Sequence, residues 1–553
     1  MRALSPWLAA VLAALISAAW LPYGFSPYDD GAYAWALREI MDGRVPHRDF
    51  AYAHPGYVLW LLQPLAPFLA QDILHYRYVL PLLAGVSALS VAWLLRGRGP
   101  LVAVSAGVAV SAFGFVQFAT YSASWLAVTA TAVTVALVGL DCERRAAGGG
   151  RVLLLAGLAA GLAFGFRAPN GVAAVMAALL LLFQVPSTEA ARNARAASVA
   201  AAAVMVVAAG GILLLVDNLE RLLLLMPPLV ACVTVAIRLW RGEAGGLSAA
   251  VAWFSCGFVL AITPLLVWAL SHGMLADMLR DLFLVPGAIS NSNRDYGATG
   301  AHGLMTELMV VLSGPVGPVD LLNASIYLFA LAFPLLLLAM RPRGGVLPPV
   351  WVLAAFSCIG IAVLPQLIYA FYVWPFVAAA WLERAGRPRV AAWVVLVISC
   401  LFLFVSPRGL YPGSHGLQPQ RPGQAETASA RWEPMACPLD RCSVRSDPRA
   451  MQQFAEDVRI LRTNVGAEEP LLVLESFAAY AHFLPNPSPF TLGRSDNRGT
   501  YGETSAYRQA FMSDPALVVA VPTVDRPMYA GLLRDYCPER DVGRWVFLTR
   551  CAP

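Results

Sequence analysis

The sequence contains no lysine: all 39 residues of the lysine and arginine class are arginine. Any anion that this chain binds must be met by arginine, histidine, a backbone amide or a metal ion. Charge of either sign is scarce, at 13% of 553 residues against 58% hydrophobic, and the mean hydropathy is +0.63. A soluble globular chain carries about 25% charged residues, so this composition excludes one and describes a polytopic membrane protein. The net charge of +5 does not point to nucleic acid, because the arginines sit in short clusters between apolar runs, where cytoplasmic loops hold them. Acids are nearly absent from the centres of those runs, and no internal repeat is found. Both absences argue against a transporter or flippase of lipid-linked sugars, which carries intramembrane acids or interrupted helices in corresponding halves. A non-catalytic cell-envelope assembly protein is the other alternative to an enzyme.

Apolar runs occupy residues 5–22, 75–95, 101–119, 122–140, 152–168, 170–186, 197–216, 222–239, 248–270, 319–340, 346–364, 367–383 and 389–406. Each is long enough to cross a hydrocarbon core of about 30 Å at about 1.5 Å per helical residue, giving about 13 transmembrane helices. The arginine-bearing segments RGRG (96–99), DCERRAAGGGR (141–151), STEAARNAR (187–195), RLWRGE (238–243), RPRGG (341–345) and ERAGRPR (383–389) all fall on one face of that count. By the positive-inside rule this face is cytoplasmic. The expected arrangement is a multi-pass protein of the cell (inner) membrane, with its N-terminus inside and residues 23–74, 271–318 and 407–553 outside. The first run continues into an acidic loop without a cleavage site and reads as an anchor. Gly157, Gly161 and Gly165 recur every four residues inside a run, which marks a helix-packing face and not a nucleotide loop.

Composition changes at Ser406. Proline, glycine and serine dominate 407–430, a linker that divides a transmembrane domain (1–406) from an extracytoplasmic α/β domain (431–553). Within the latter, PLLVLES (470–476) and ALVVAVPT (516–523) read as buried strands, and RAMQQFAEDVRILRTN (449–464) has helical periodicity. Four of nine cysteines, Cys437, Cys442, Cys537 and Cys551, lie here, where disulfides persist; the sequence leaves their pairing open. The other five serve as small apolar packers in or near spans.

The first outer loop opens PYDDGAYAWALREIMDGRVPHRDF (27–50). After the adjacent acids Asp29 and Asp30, apolar positions Tyr33, Trp35, Ala36, Leu37 and Ile40 predict a helix along the interface, with Arg38, Glu39 and Asp42 as its polar face. AHPGYVLWLLQPLAPFLA (53–70) is apolar but broken by proline, which suits a second interfacial helix better than a span. Ionised acids at such a boundary are costly unless they pair, bind metal or do chemistry. An acid before a helix start also caps free amides, so capping alone is the bland reading of Asp29.

This ordered string of a span, an acidic pair, Gly-Ala-Tyr, REIMDGRVPHRDF and HPGYVLWL resembles the GT-C polyprenyl-phosphate-sugar glycosyltransferases. The protein mannosyltransferases and the lipid A aminoarabinose transferases are the nearer relatives implied. The resemblance is dense from 27 to 62, thinner through the spans and only architectural beyond them. It implies that Asp29 is the general base on the acceptor hydroxyl and that Asp30 is the second acid of a catalytic pair. It implies a polyprenyl-phosphate-linked sugar as donor and a glycan, lipid or protein as acceptor, with no nucleic acid among the partners and membrane lipids around the spans. His54 stands where the family carries the lysine that meets the donor phosphate, and a neutral imidazole is a poorer phosphate partner than a fixed cation. Arginine is expected to supply that charge, with Arg48, Arg77, Arg167, Arg280 and Arg294 at the outer face and Arg48, Arg167 and Arg294 the binding candidates. Tyr369 and Tyr372 match an aromatic element lining the donor cavity, where an aromatic belt is expected anyway. Asp277, Arg280 and Asp281 read as an ordinary helical salt-bridge cluster. No metal or other cofactor is implied, although clustered carboxylates are the kind of ligand that a divalent cation favours.

Overall fold

The computed structural model describes residues 3–24, 29–50, 52, 54–144, 150–184, 191–216, 219–242, 249–282, 308–309, 318–342, 346–362, 367–405, 435–446, 448–474, 480–486, 514–524, 526–529 and 533–551. Arg294 and the 407–430 linker lie outside them. All the apolar runs form helices, the 367–383 run as two pieces, Leu367–Ala370 and Trp374–Arg384. The physical reason is general: lipid offers no hydrogen bonds, and a helix satisfies its own backbone. Ile73–Leu94, Ala123–Glu143, Leu219–Trp240 and Ala249–Ser271 are long and apolar enough to cross a membrane, and shorter apolar helices of 10–17 residues pack among them. Leu214, Val207, Trp240, Val259 and Leu270 point outward, as a lipid-facing surface requires. The chain is a membrane protein.

Glycine sets the closest approach in this bundle. A Cβ at Gly157 would overlap the Phe254 carbonyl, and one at Gly257 would overlap the Leu154 carbonyl, so the Gly150–Phe166 and Ala249–Ser271 helices touch backbone to backbone. The third glycine of the stripe, Gly165, receives the ring of Tyr57 instead. The Tyr57 hydroxyl donates to the Ala261 carbonyl, which pins the first loop across both helices.

That loop folds as the sequence suggests, with two differences. A helix spans Asp29–Met41, and the proline-rich stretch breaks into Tyr57–Leu62, a 3-10 turn at Gln63–Leu65 and Ala66–Leu69. Gly56 precedes it at φ +127°, against Trp268, where a side chain would be strained and crowded. The Asp29–Met41 helix does not lie open on an interface, however. Its Arg38 is covered by the C-terminal domain, and Glu39, expected on the polar face, is fully buried against Arg44.

The C-terminal domain holds a four-stranded sheet in the order β3-β4-β6-β5, from Leu471–Val473, Val518–Pro522, Trp545–Arg550 and Tyr536–Val542. β3 and β4 run parallel, and the other pairs are antiparallel. The Pro448–Asn464 helix carries Asp457, which is fully buried and accepts from Arg544 (2.6 Å) and Trp545 Nε1 (3.0 Å), fastening helix to sheet. A small hairpin, β1 (Met435–Ala436) with β2 (Arg445–Ser446), completes the domain. The pairing left open by the sequence is Cys437–Cys442, inside this hairpin, and Cys537–Cys551, which joins the ends of β5 and β6.

The hairpin docks directly on the first loop. Arg445 donates its N–H to the Pro22 carbonyl (2.6 Å) and accepts from Gly24 N–H (2.8 Å). Asp72 takes the Ser443 N–H and hydroxyl, and Arg441 accepts from the Ile73 N–H (3.1 Å). Arg38 reaches the carbonyls of Leu484 (2.8 Å), Pro485 (3.0 Å) and Asn486 (2.5 Å). Loop and domain thus share one end of the bundle.

Candidate active site

The site is built outward from Asp29, which opens the Asp29–Met41 helix; its side chain lies outside the described residues. Asp30 is 2% exposed, and its two oxygens meet Arg77 Nε (3.1 Å) and a terminal nitrogen (2.6 Å). The rest of that guanidinium donates to the carbonyls of Leu21 (2.9 Å), Tyr23 (3.1 Å) and Gly24 (2.5 Å). Arg77 therefore ties the end of the first apolar helix to the start of the Asp29–Met41 helix, on either side of residues 25–28. Asp30, grouped with Asp29 on sequence, is the anion of this clamp. Arg77, read as an outer-face cation, is buried beside it.

One turn beyond Asp29 the Tyr33 hydroxyl accepts from the Ala123 N–H (2.7 Å), and its ring meets Tyr121 edge-on. The neighbouring Ser122 hydroxyl bonds the Tyr372 hydroxyl (2.9 Å). Tyr372 lies 6.0 Å from Tyr369, whose ring sits under the Arg167 guanidinium at 5.1 Å. Arg167, 6% exposed, also reaches Asn170 Oδ1 (3.3 Å). So the structure brings Arg167, Tyr369 and Tyr372 together and links them through Ser122 and Tyr33 to the helix that begins at Asp29. Gly165, where Tyr57 packs, is two residues from Arg167 and fixes this end of the bundle as the loop's own.

The other candidates divide. His54 is half-buried and stands edge-on to Tyr52, with ring centres 5.6 Å apart. Arg48 is set apart on the surface, its guanidinium spent bidentately on Asp49 (2.9 Å each). That hydrogen bond holds the Asp49 carboxyl below its ordinary range. Arg280 pairs with Asp277 (2.9 Å), as expected. Asp281 does more, accepting from His47 Nδ1 at 2.9 Å across the loop.

Sequence reasoning gave Tyr33 only a place on the apolar face of its helix and assigned no role to His47, Tyr52, Ser122 or Asn170. The available signal was position in the string that carries the resemblance: Tyr33 ends its Gly-Ala-Tyr element, and His47 and Tyr52 lie within or just after GRVPHRDF. Burial, with the Tyr33 and Tyr121 hydroxyls alongside, pushes Tyr52 well above the ordinary phenol range, so it stays a neutral hydroxyl.

Glu39 gives the loop a pH dependence. Burial pushes its carboxyl up to about 8 despite the Arg44 guanidinium. Between the unfolded value of 4.5 and about 8 the folded chain holds the extra proton, so this group's contribution to stability falls as pH rises through that window. Glu39→Gln, always neutral, is expected to gain thermal stability relative to the parent from pH 5 to pH 9 in detergent. A difference that does not change with pH would show that Glu39 is ionised throughout.

The sequence matches no protein-family model, and no curated protein matches it significantly. Among solved structures, the oligosaccharyltransferase of Archaeoglobus fulgidus aligns over 96% of this chain and 71% of its own, with 12% identity and a TM-score of 0.43. ArnT from Cupriavidus metallidurans, solved with undecaprenyl phosphate bound, aligns over 100% of this chain and 97% of its own, with 13% identity and a TM-score of 0.50. The chain has the GT-C fold. Helical bundle, first loop and C-terminal domain are all included in the end-to-end ArnT alignment, so the GT-C likeness extends beyond the loop that resembles the family in sequence. In the GT-C framework the cluster of Arg167, Tyr369 and Tyr372 lies at the end of the bundle where the Asp29 loop sits.

Proposed function

We propose that the chain is a membrane glycosyltransferase that moves a sugar from a polyprenyl-phosphate donor to an acceptor hydroxyl on the extracytoplasmic side of the cell membrane. Asp29 takes the proton of the acceptor hydroxyl as its oxygen attacks the anomeric carbon through an oxocarbenium-like state. The bond from that carbon to the phosphate oxygen breaks, and polyprenyl phosphate leaves with both bonding electrons. Arg167, a permanent cation in a chain without lysine, stands as the partner of that charge. Direct displacement inverts the anomeric configuration.

The observation that carries this reading is the double anchoring of the helix that Asp29 opens, by Asp30–Arg77 and by Tyr33, in a fold that ArnT shares. General-base catalysis needs a carboxylate held in place, and that anchoring holds its backbone. Arg96, in the arginine-rich 96–99 segment, pairs with Glu143 at the end of the Ala123–Arg144 helix, which is consistent with one basic, cytoplasmic face opposite the loop. The test is a panel of undecaprenyl-phosphate hexoses and pentoses given to the full-length protein in acceptor-bearing membranes. Release of undecaprenyl phosphate with an inverted product supports the proposal; a retained configuration, or no turnover of any donor, contradicts it.

A further inference from the structure

Two buried polar atoms beside the Asp29 helix have no hydrogen-bond partner among the described residues: Nε2 of His47 and the hydroxyl of Tyr52. Their rings are neighbours, 6.0 Å apart and steeply inclined. Buried polar groups are nearly always satisfied, and an unsatisfied one costs about 1–3 kcal/mol. Two on adjacent rings mark a place that something else fills. The backbone adds to this. His47 is held at φ +66°, a region that non-glycine residues rarely enter, by the bond from its N–H to the Phe50 carbonyl (2.7 Å).

Chemistry decides what the place would hold. The Asp281 carboxylate accepts from His47 Nδ1, and in the tautomer this bond selects the opposite nitrogen, Nε2, presents a lone pair. Tyr52 offers a hydroxyl that can donate. An acceptor and a donor on rings 6.0 Å apart complement an alcohol, which donates to one and accepts from the other. The surroundings are aromatic: Tyr52 packs with Phe50 and Ala36, Trp35 stands edge-on to Phe50, and His54 to Tyr52. Aromatic surroundings with a few polar groups are the usual make-up of a small-molecule site. Ala36 belongs to the helix that Asp29 opens, seven residues on, which places the position on one helix face with Asp29 and Tyr33.

We propose that His47 Nε2 and the Tyr52 hydroxyl clamp one hydroxyl of the transferred sugar and so select which sugar is accepted, a reading that rests on the transferase function proposed above. Asp281 is a positioning residue: it fixes the histidine tautomer from the 275–282 helix.

The test uses full-length parent, Tyr52→Phe, His47→Gln and Asp281→Asn proteins in acceptor-bearing membranes from cells lacking the parent gene. The probes are the polyprenyl-phosphate sugar that the parent turns over and its monodeoxy analogues, each missing one hydroxyl. The parent is expected to lose about 10- to 100-fold in kcat/KM on one analogue. Tyr52→Phe should lose about as much on the complete donor and little more on that analogue, while its thermal stability is kept, because the deleted hydroxyl had no partner. His47→Gln should show the same loss of discrimination. Uniform losses on every analogue, unchanged kinetics, or weakened binding of undecaprenyl phosphate alone would each overturn the clamp and leave the transferase reading standing. A parent protein inactive on every donor would overturn both.

Discussion

Asp29→Asn is expected to lower sugar transfer by about 100- to 10,000-fold, the range over which a positioned general base contributes. Asparagine keeps the size of the side chain and its capacity to cap the helix, so the protein should insert, fold and bind donor as before. The loss therefore belongs in kcat, with KM for the donor little changed. That split separates catalysis from capping: a residue that only caps the helix would leave kcat near the parental value in this variant.

Arg77→Ala should be the most damaging substitution for folding. The guanidinium is 1% exposed, holds both oxygens of Asp30 and satisfies three backbone carbonyls. Its removal takes the guanidinium away from a buried carboxylate and three carbonyls, and breaking a buried pair from one side costs about 3–5 kcal/mol. Lysine should not rescue, because a single ammonium cannot reproduce a planar fork that serves five acceptors. Thermal unfolding in detergent, with size-exclusion chromatography as a check on folding, should show the midpoint falling sharply or no folded protein at all. An unchanged midpoint would mean that the loop is held elsewhere, for example by the Asp72–Ser443 and Arg445 contacts with the C-terminal hairpin.

Those two residues also show what a sequence can and cannot disclose. The helix beginning at Asp29 follows from local periodicity, as do the break at Pro64 and Pro67 and the Pro448–Asn464 helix. Local rules suffice because each depends on residues a few positions apart. The Asp30–Arg77 clamp joins residues 47 apart, His47–Asp281 joins residues 234 apart, and Arg38 meets Leu484 446 residues on. None is legible before the topology is known. Glu39 was misplaced for the same reason: amphipathic spacing assigns it to a polar face with Asp42, and Asp42 is exposed, but the folded loop encloses Glu39 against Arg44. Strand β5, Tyr536–Val542, was missed because it lies at the sheet edge and exposes most of its side chains, so it lacks the apolar alternation that marks a strand.

The central claim is that Asp29 drives transfer of a sugar from a polyprenyl-phosphate carrier. Mass spectrometry of lipid-linked sugars and envelope glycans, in a deletion strain complemented with the parent or with Asp29→Asn, tests it most directly. The claim predicts that the variant, at parental abundance in the membrane, leaves one polyprenyl-phosphate sugar accumulated and the matching residue missing from a glycan, lipid or protein. Complete restoration of that residue by Asp29→Asn would contradict it.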